Sequence, residues 1–262
     1  YWGCIMDIVK ETKLIGNYLI GLRKDFHKYP ELSMQEHRTS RKIKEELDKI
    51  NVKYKEGIRT EVVATIGHGE GKVIALRADM DALRIKENTG VRYQSENEGV
   101  MHACGHDAHM ASLLGAAMIL KKYENDIPGK IVLIFQPGEE CSSGARLISE
   151  HGYIDEVEEI FGLHVFGDIE CGKISIEEGP RMAASNKFTI KITGKSGHAG
   201  KPQQCIDATI VCAAIVMNLQ SIISREIDPL NSAVVTIGHI KSGETHNIIS
   251  GEAFIEGTIR CF

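Results

Sequence analysis

The sequence predicts an α/β protein: a sandwich of helices on a buried sheet, followed by a shorter α+β region. Three observations predict it. The runs Val73-Ile74-Ala75-Leu76-Arg77-Ala78 and Lys130-Ile131-Val132-Leu133-Ile134-Phe135-Gln136 are almost continuously apolar, as strands buried on both faces are. Helical patterns alternate with these strands, the arrangement of a layered α/β sheet. Towards the C-terminus the strands change to half-exposed alternation around one apolar helix, so the chain is divided into 1–182 and 183–262.

Taken in order, Ile8, Ile15, Leu19, Leu22 and Phe26 fall at helical spacing until Pro30 breaks the run. Ser33 with Glu36 three residues on reads as a capping box for a helix that carries Ile43, Leu47 and Ile50 on one face. Val62 to Ile66 is β-rich and ends in a glycine turn. The strand from Val73 delivers Asp79 and Asp81 at its carboxyl end, where ligands bind in open α/β sheets. A turn or helix cap is the competing reading for both, more strongly for Asp81. Met101-His102-Ala103-Cys104-Gly105-His106-Asp107-Ala108-His109-Met110 then opens an apolar helix. The strand from Lys130 runs into Pro137-Gly138-Glu139-Glu140, and a helix starts near Ser143. Glu159 to Val165 reads as a short strand that includes His164. In the second region, Phe188 to Thr193 is a strand, Gly194 to Pro202 a loop containing His198, and Ile206 to Ile223 a helix. Ala233 to Gly238 and Ala253 to Arg260 are two more strands, the beginning of a ferredoxin-like order.

Bulk properties narrow the function classes. Of 262 residues, 42% are hydrophobic and 26% charged, with a formal net charge of -5, so no basic excess points to nucleic acid. No uninterrupted apolar run reaches the roughly 18 residues of a membrane span. Tyr1 to Met6 is too short and uncharged for a signal peptide, and Met6 is a candidate natural start. The seven cysteines, Cys4, Cys104, Cys141, Cys171, Cys205, Cys212 and Cys261, show no framework spacing, so reduced thiols and a cytoplasmic protein are expected.

Cys104 with His106, Glu139 with Glu140, and His164 each lie in a loop that follows a buried strand or opens a helix. Singly, each is more often structural than functional. Together, thiolate, imidazole and carboxylate favour zinc or another first-row divalent ion over magnesium or calcium. Two adjacent glutamates can divide the work, one ligating and the other serving as general base. His102 and His109 read as supports behind the ligands or as helix packing. A cysteine–histidine nucleophilic site at Cys104 lacks an identifiable partner and orienting residue.

Leu76-Arg77-Ala78-Asp79-Met80-Asp81-Ala82-Leu83, the Met101–Asp107 segment, Phe135-Gln136-Pro137-Gly138-Glu139-Glu140 and Gly162-Leu163-His164-Val165 resemble, in order, the amidohydrolase branch of the M20 metallopeptidases. The resemblance implies a zinc-exopeptidase-like α/β sandwich holding two divalent ions (zinc, manganese, cobalt or nickel), with an inserted ferredoxin-like lid that often forms a homodimer. It implies Cys104, His106, Glu140 and His164 as metal ligands, Cys104 bridging, with Asp79 acting from behind them. It implies Glu139 as general base, His198 as oxyanion donor, and Asn247 and Arg260 at the substrate carboxylate. The implied substrate is a small N-acyl amino acid, with no nucleic acid or membrane partner. Arg84 replaces a usual proline and Asn186 a common aspartate. The sequence ends at Phe262, within the lid by this resemblance and before a last histidine ligand. The alternative reading is therefore a non-catalytic binding module or an inactive fragment of a longer hydrolase.

Overall fold

The computed structural model describes residues 7–262; the readings of Cys4 and of Met6 as a start lie outside the described residues. The chain divides into two compact units, Tyr1–Ile174 and Ser175–Phe262.

In the first unit, α1 (Ile8–Lys28) starts at Asp7, whose carboxylate accepts the Lys10 N–H, and α2 (His37–Lys49) follows. Then come β1 (Tyr54–Lys55), β2 (Val62–Ile66) and β3 (Val73–Asp79), α3 (His106–Lys122), β4 (Lys130–Gln136), α4 (Gly144–Glu150) and β5 (Glu159–Gly162). The sheet order is β1-β2-β4-β3-β5, with β3 parallel to both β4 and β5 and the other pairings antiparallel. Phe26, Ile43, Leu47, Met110 and Leu114 from α1, α2 and α3 bury one face with Ile66, Leu133 and Phe135. Ile148 of α4 packs on Val63, Ala75, Val132 and Ile134 on the other. Both faces are therefore covered, as the continuous apolar runs require. A side chain such as Phe26 or Leu114, buried completely, contributes about 1.5–3 kcal/mol from its transfer out of water.

Two local expectations are corrected. Ser33 and Glu36 form no capping box: Glu31 takes the first-turn N–H groups of Arg38 and Thr39, while Ser33 donates to Asp81. A carboxylate from the preceding loop reaches the helix terminus, and Glu36 is directed inward instead. The strand expected up to Val165 ends at Gly162, because side chains, not a neighbouring strand, take the backbone groups of Val165.

The second unit contains β6 (Ala184–Thr193), β7 (Gly197–His198), α5 (Ala208–Ser221), β8 (Ala233–Ser242), β9 (Ile248–Ile249) and β10 (Glu252–Cys261). Its antiparallel sheet has the order β6-β10-β8, with a separate β7–β9 ribbon. Ala208 and Cys212 of α5 pack on Ile192, Ala253 and Ile255. Asp207 caps α5 by accepting from the Thr209 and Ile210 N–H groups. With its π-helical continuation, Ala208–Glu226 is long and apolar enough on average to cross a membrane, although polar residues interrupt it. Only 11% of that stretch is buried: Ala208 and Cys212 meet the sheet, while Ile210, Val211, Met217 and Ile222 stay exposed.

Candidate metal centre

Parallel pairing decides where the ligand-type residues meet. β3 and β4 run in register to Asp79↔Gln136, and β3 and β5 to Arg77↔Gly162. The chain therefore leaves all three strands at the same edge of the sheet, carrying Asp79 and Asp81, Glu139 and Glu140, and His164 with it. The N-terminus of α3 joins them through Gly105, whose φ of 84° is left-handed and whose missing Cβ leaves room for Val165.

Ligating atoms of Cys104, His106 and His164 lie within 4.8 Å of one another, as do those of His106, Glu139 and Glu140. Cys104 Sγ is 3.4 Å from His164 Nε2, and His106 Nε2 is 3.8 Å from Glu140 Oε1. His106 Nδ1–H donates to the Asp81 carbonyl at 2.9 Å, and His164 Nδ1–H donates to the Val165 carbonyl at 2.7 Å. With Nδ1 engaged in this way, the Nε2 of each ring is turned to the centre, the orientation a metal-binding histidine needs.

The centre fits divalent ions. His106 Nε2 and Glu140 Oε1 are buried without a hydrogen-bond partner. Polar atoms buried in that way call for a ligand or ion. Burial, then the charges of Glu140, Glu139 and Asp79, pushes the Cys104 thiol up to about 12. A dication reverses that balance and keeps a coordinating thiol deprotonated. Burial followed by the nearby Glu139 charge also raises Glu140. For Asp79, burial acts upward, but the His109 hydrogen bond and the charges of His106 and Arg77 outweigh it and hold the carboxyl at about 2.

Asp79 does not face the centre freely. It accepts from His109 Nδ1 at 2.6 Å and from Arg77 at 2.7 Å, and its Oδ2 stands 3.5 Å from His106 Nε2. Asp79, His106 and His109 also lie close enough for a metal, but both nitrogens of His109 are engaged, the second by the Val165 N–H at 2.9 Å. Glu36 is the residue that the sequence pattern misplaced. Completely buried, it accepts from the N–H groups of Met34 and Gly138 and from Thr60 Oγ1 at 2.6–2.9 Å. It anchors the loop that presents Glu139 and Glu140, a contact across 102 positions of sequence that no local pattern signals.

The second unit brings His198 and Asn247 together. His198 pairs with Ile248 in the β7–β9 ribbon, and the Ala199 N–H donates to the Asn247 carbonyl. The Gly200 N–H donates to His198 Nδ1 at 2.9 Å, so a neutral ring carries its proton on exposed Nε2. Arg260 lies apart from them on β10, exposed, and among the described residues its guanidinium forms no ion pair.

Comparison with known proteins matches the description Peptidase family M20/M25/M40 over residues 75–243. The chain is 45% identical to the N-acetyl-L-cysteine deacetylase of Bacillus subtilis (strain 168), covering 93% of this chain and 59% of that protein. It is 44% identical to the IAA-amino acid hydrolase ILR1-like 4 of Arabidopsis thaliana, covering 94% and 56%. The chain thus spans somewhat over half the length of these curated relatives. A solved dinuclear metal-binding peptidase of family M20 from Bacillus subtilis superposes with a TM-score of 0.77 at 39% identity, covering 95% of this chain and 65% of that one. With the ligand-type residues gathered at one edge of such a fold, the chain belongs to peptidase family M20/M25/M40.

Proposed function

We propose that this chain carries the catalytic centre of a metal-dependent amidohydrolase that hydrolyses an N-acyl amino acid to a carboxylic acid and a free amino acid. The observation that carries the reading is the convergence of Cys104, His106, Glu140 and His164 with orphaned donor atoms directed inward and Glu139 beside them. The activities named for the curated relatives support the substrate class. The dinuclear solved relative supports two divalent ions, and the mixed thiolate, imidazole and carboxylate donors favour zinc, manganese, cobalt or nickel.

Cys104, His106, Glu140 and His164 would hold the ions. When bound, such ions supply Lewis acidity that makes water a nucleophile near neutral pH and polarises the amide carbonyl. Glu139 takes the proton of the attacking water and returns it to the departing amine nitrogen, so it ends the cycle as it began. The resemblance gives His198 the role of oxyanion donor, for which the engaged Nδ1 leaves Nε2–H. Arg260, free of any structural ion pair among the described residues, suits the substrate carboxylate with its guanidinium fork, while Asn247, which lies apart from it, has that role only by the resemblance.

In this reading 1–182 is catalytic and 183–262 is a lid. The order β6-β10-β8 supports a ferredoxin-like lid, and a homodimer through it and a cytoplasmic location complete the proposal. Glu139→Gln tests the chemistry. Elemental analysis should find metal retained, while hydrolysis of N-acetyl amino acids falls by about 10²–10⁴-fold. Undiminished turnover in that variant would remove Glu139 from its role.

A further inference from the structure

His109 has a position that the proposed chemistry does not use. It lies in the first turn of α3, three residues after His106, and is 1% exposed. Its Nδ1 is 2.6 Å from Asp79 Oδ1, and its Nε2 is 2.9 Å from the Val165 amide nitrogen. An amide N–H can only donate, so Nε2 is the bare nitrogen and Nδ1–H donates to Asp79. The tautomer follows from its partners, and neither nitrogen is left for a metal ion. Arg77 holds the other oxygen of Asp79 at 2.7 Å, so the relay is anchored on β3.

The peptide that the relay grips follows His164 directly. β5 has ended at Gly162, so no strand ladder fixes this segment. Two other contacts seat it. The Val165 carbonyl accepts from His164 Nδ1, and the Val165 side chain fills the place of the missing Gly105 Cβ. The rings of His109 and His164 meet edge to face with centroids 4.8 Å apart. The position of His164 Nε2 beside Cys104 therefore depends on a loop whose Val165 amide is tied to the core by His109.

We propose that His109 is a positioning residue: through the Asp79–His109–Val165 N–H relay it sets His164 against Cys104 for metal binding. The proposal rests on the reading of Cys104 and His164 as ligands. Loss of both hydrogen bonds frees the 163–166 segment while leaving every ligating atom in the chain. Residues of this supporting kind typically change metal affinity by about 10–100-fold.

The test compares the 262-residue chain with His109→Phe, His109→Gln and His164→Ala. Phenylalanine keeps the ring and loses both bonds; glutamine keeps an acceptor for the Val165 N–H. Cobalt(II) titration reads affinity and the thiolate-to-metal absorption of Cys104. Amide exchange of the metal-free chains reads protection at Val165. His109→Phe should weaken cobalt binding by about 10–100-fold and lose Val165 protection while the amides of β3 and β4 stay protected. His109→Gln should recover most of both. Affinity in His109→Phe equal to the parent chain, with binding weakened in His164→Ala, would overturn the positioning role and leave the metal reading intact. Parent-like binding in His164→Ala would overturn the metal reading and the proposal together. Loss of protection throughout β3 and β4 in His109→Phe, with no recovery in His109→Gln, would show a general structural role and overturn the relay.

Discussion

Acidification should destabilise the first unit through His102. This ring is 3% exposed, and neither of its nitrogens has a hydrogen-bond partner. Burial outweighs the attraction to Asp107 and, with repulsion from His106 and His27 added, holds it down at about 4 against an ordinary 6.5. The unfolded chain therefore takes up this proton first. The stability that neutral His102 contributes is fully present above pH 6.5, declines as the pH falls, and is lost below the folded value of about 4. A difference of about 2.5 units at 1.36 kcal/mol each amounts to about 3 kcal/mol. Other groups titrate in the same window, so the informative quantity is the difference between the parent chain and His102→Leu, which cannot titrate there. Urea unfolding followed by far-UV circular dichroism, in chelator, from pH 7 to about pH 4 should show the parent losing about 3 kcal/mol relative to the variant. A difference that stays constant across this range would refute the argument that His102 is buried neutral.

Glu36→Ala removes the shared acceptor of Met34, Gly138 and Thr60, and each stranded donor costs about 1–3 kcal/mol, so a loss of more than about 3 kcal/mol is expected in the same unfolding assay. Glu36→Gln, which keeps one oxygen, should lose less; equal losses would mean the anchor is not what stabilises the loop. Gly105→Ala places a Cβ at a φ of 84° and 2.4 Å from Val165 Cγ2. The left-handed backbone alone costs about 1–2 kcal/mol, and displacement of Val165 carries His164 with it, so thermal stability and zinc affinity by chelator competition should fall together. Unchanged zinc affinity in that variant would contradict the coupling of the two residues.

The sequence by itself determined the elements and the chemistry on offer. The continuous apolar runs of β3 and β4 marked strands covered on both faces because burial on two sides leaves no polar alternation. β4 begins and ends where the run does, since Pro137 and the glutamates after it cannot continue a buried ladder. Cys104, His106, Glu139, Glu140 and His164 were legible as ligand types because each sits just beyond a strand or at the start of a helix, where side chains are free to point at a ligand. Tertiary structure decided what touches what. Glu36 spaced correctly from Ser33 for a helix cap, yet it is buried against Gly138, because a carboxylate able to satisfy three donors there outweighs one local capping bond. His109 shares a helix face with His106 and offers the same ring, but Asp79 and the Val165 amide occupy both of its nitrogens. Those partners lie 30 and 56 residues away and are brought near by parallel pairing of β3 with β4 and β5. Spacing along a chain states which groups a loop can present; register across a sheet decides which of them remain free to bind.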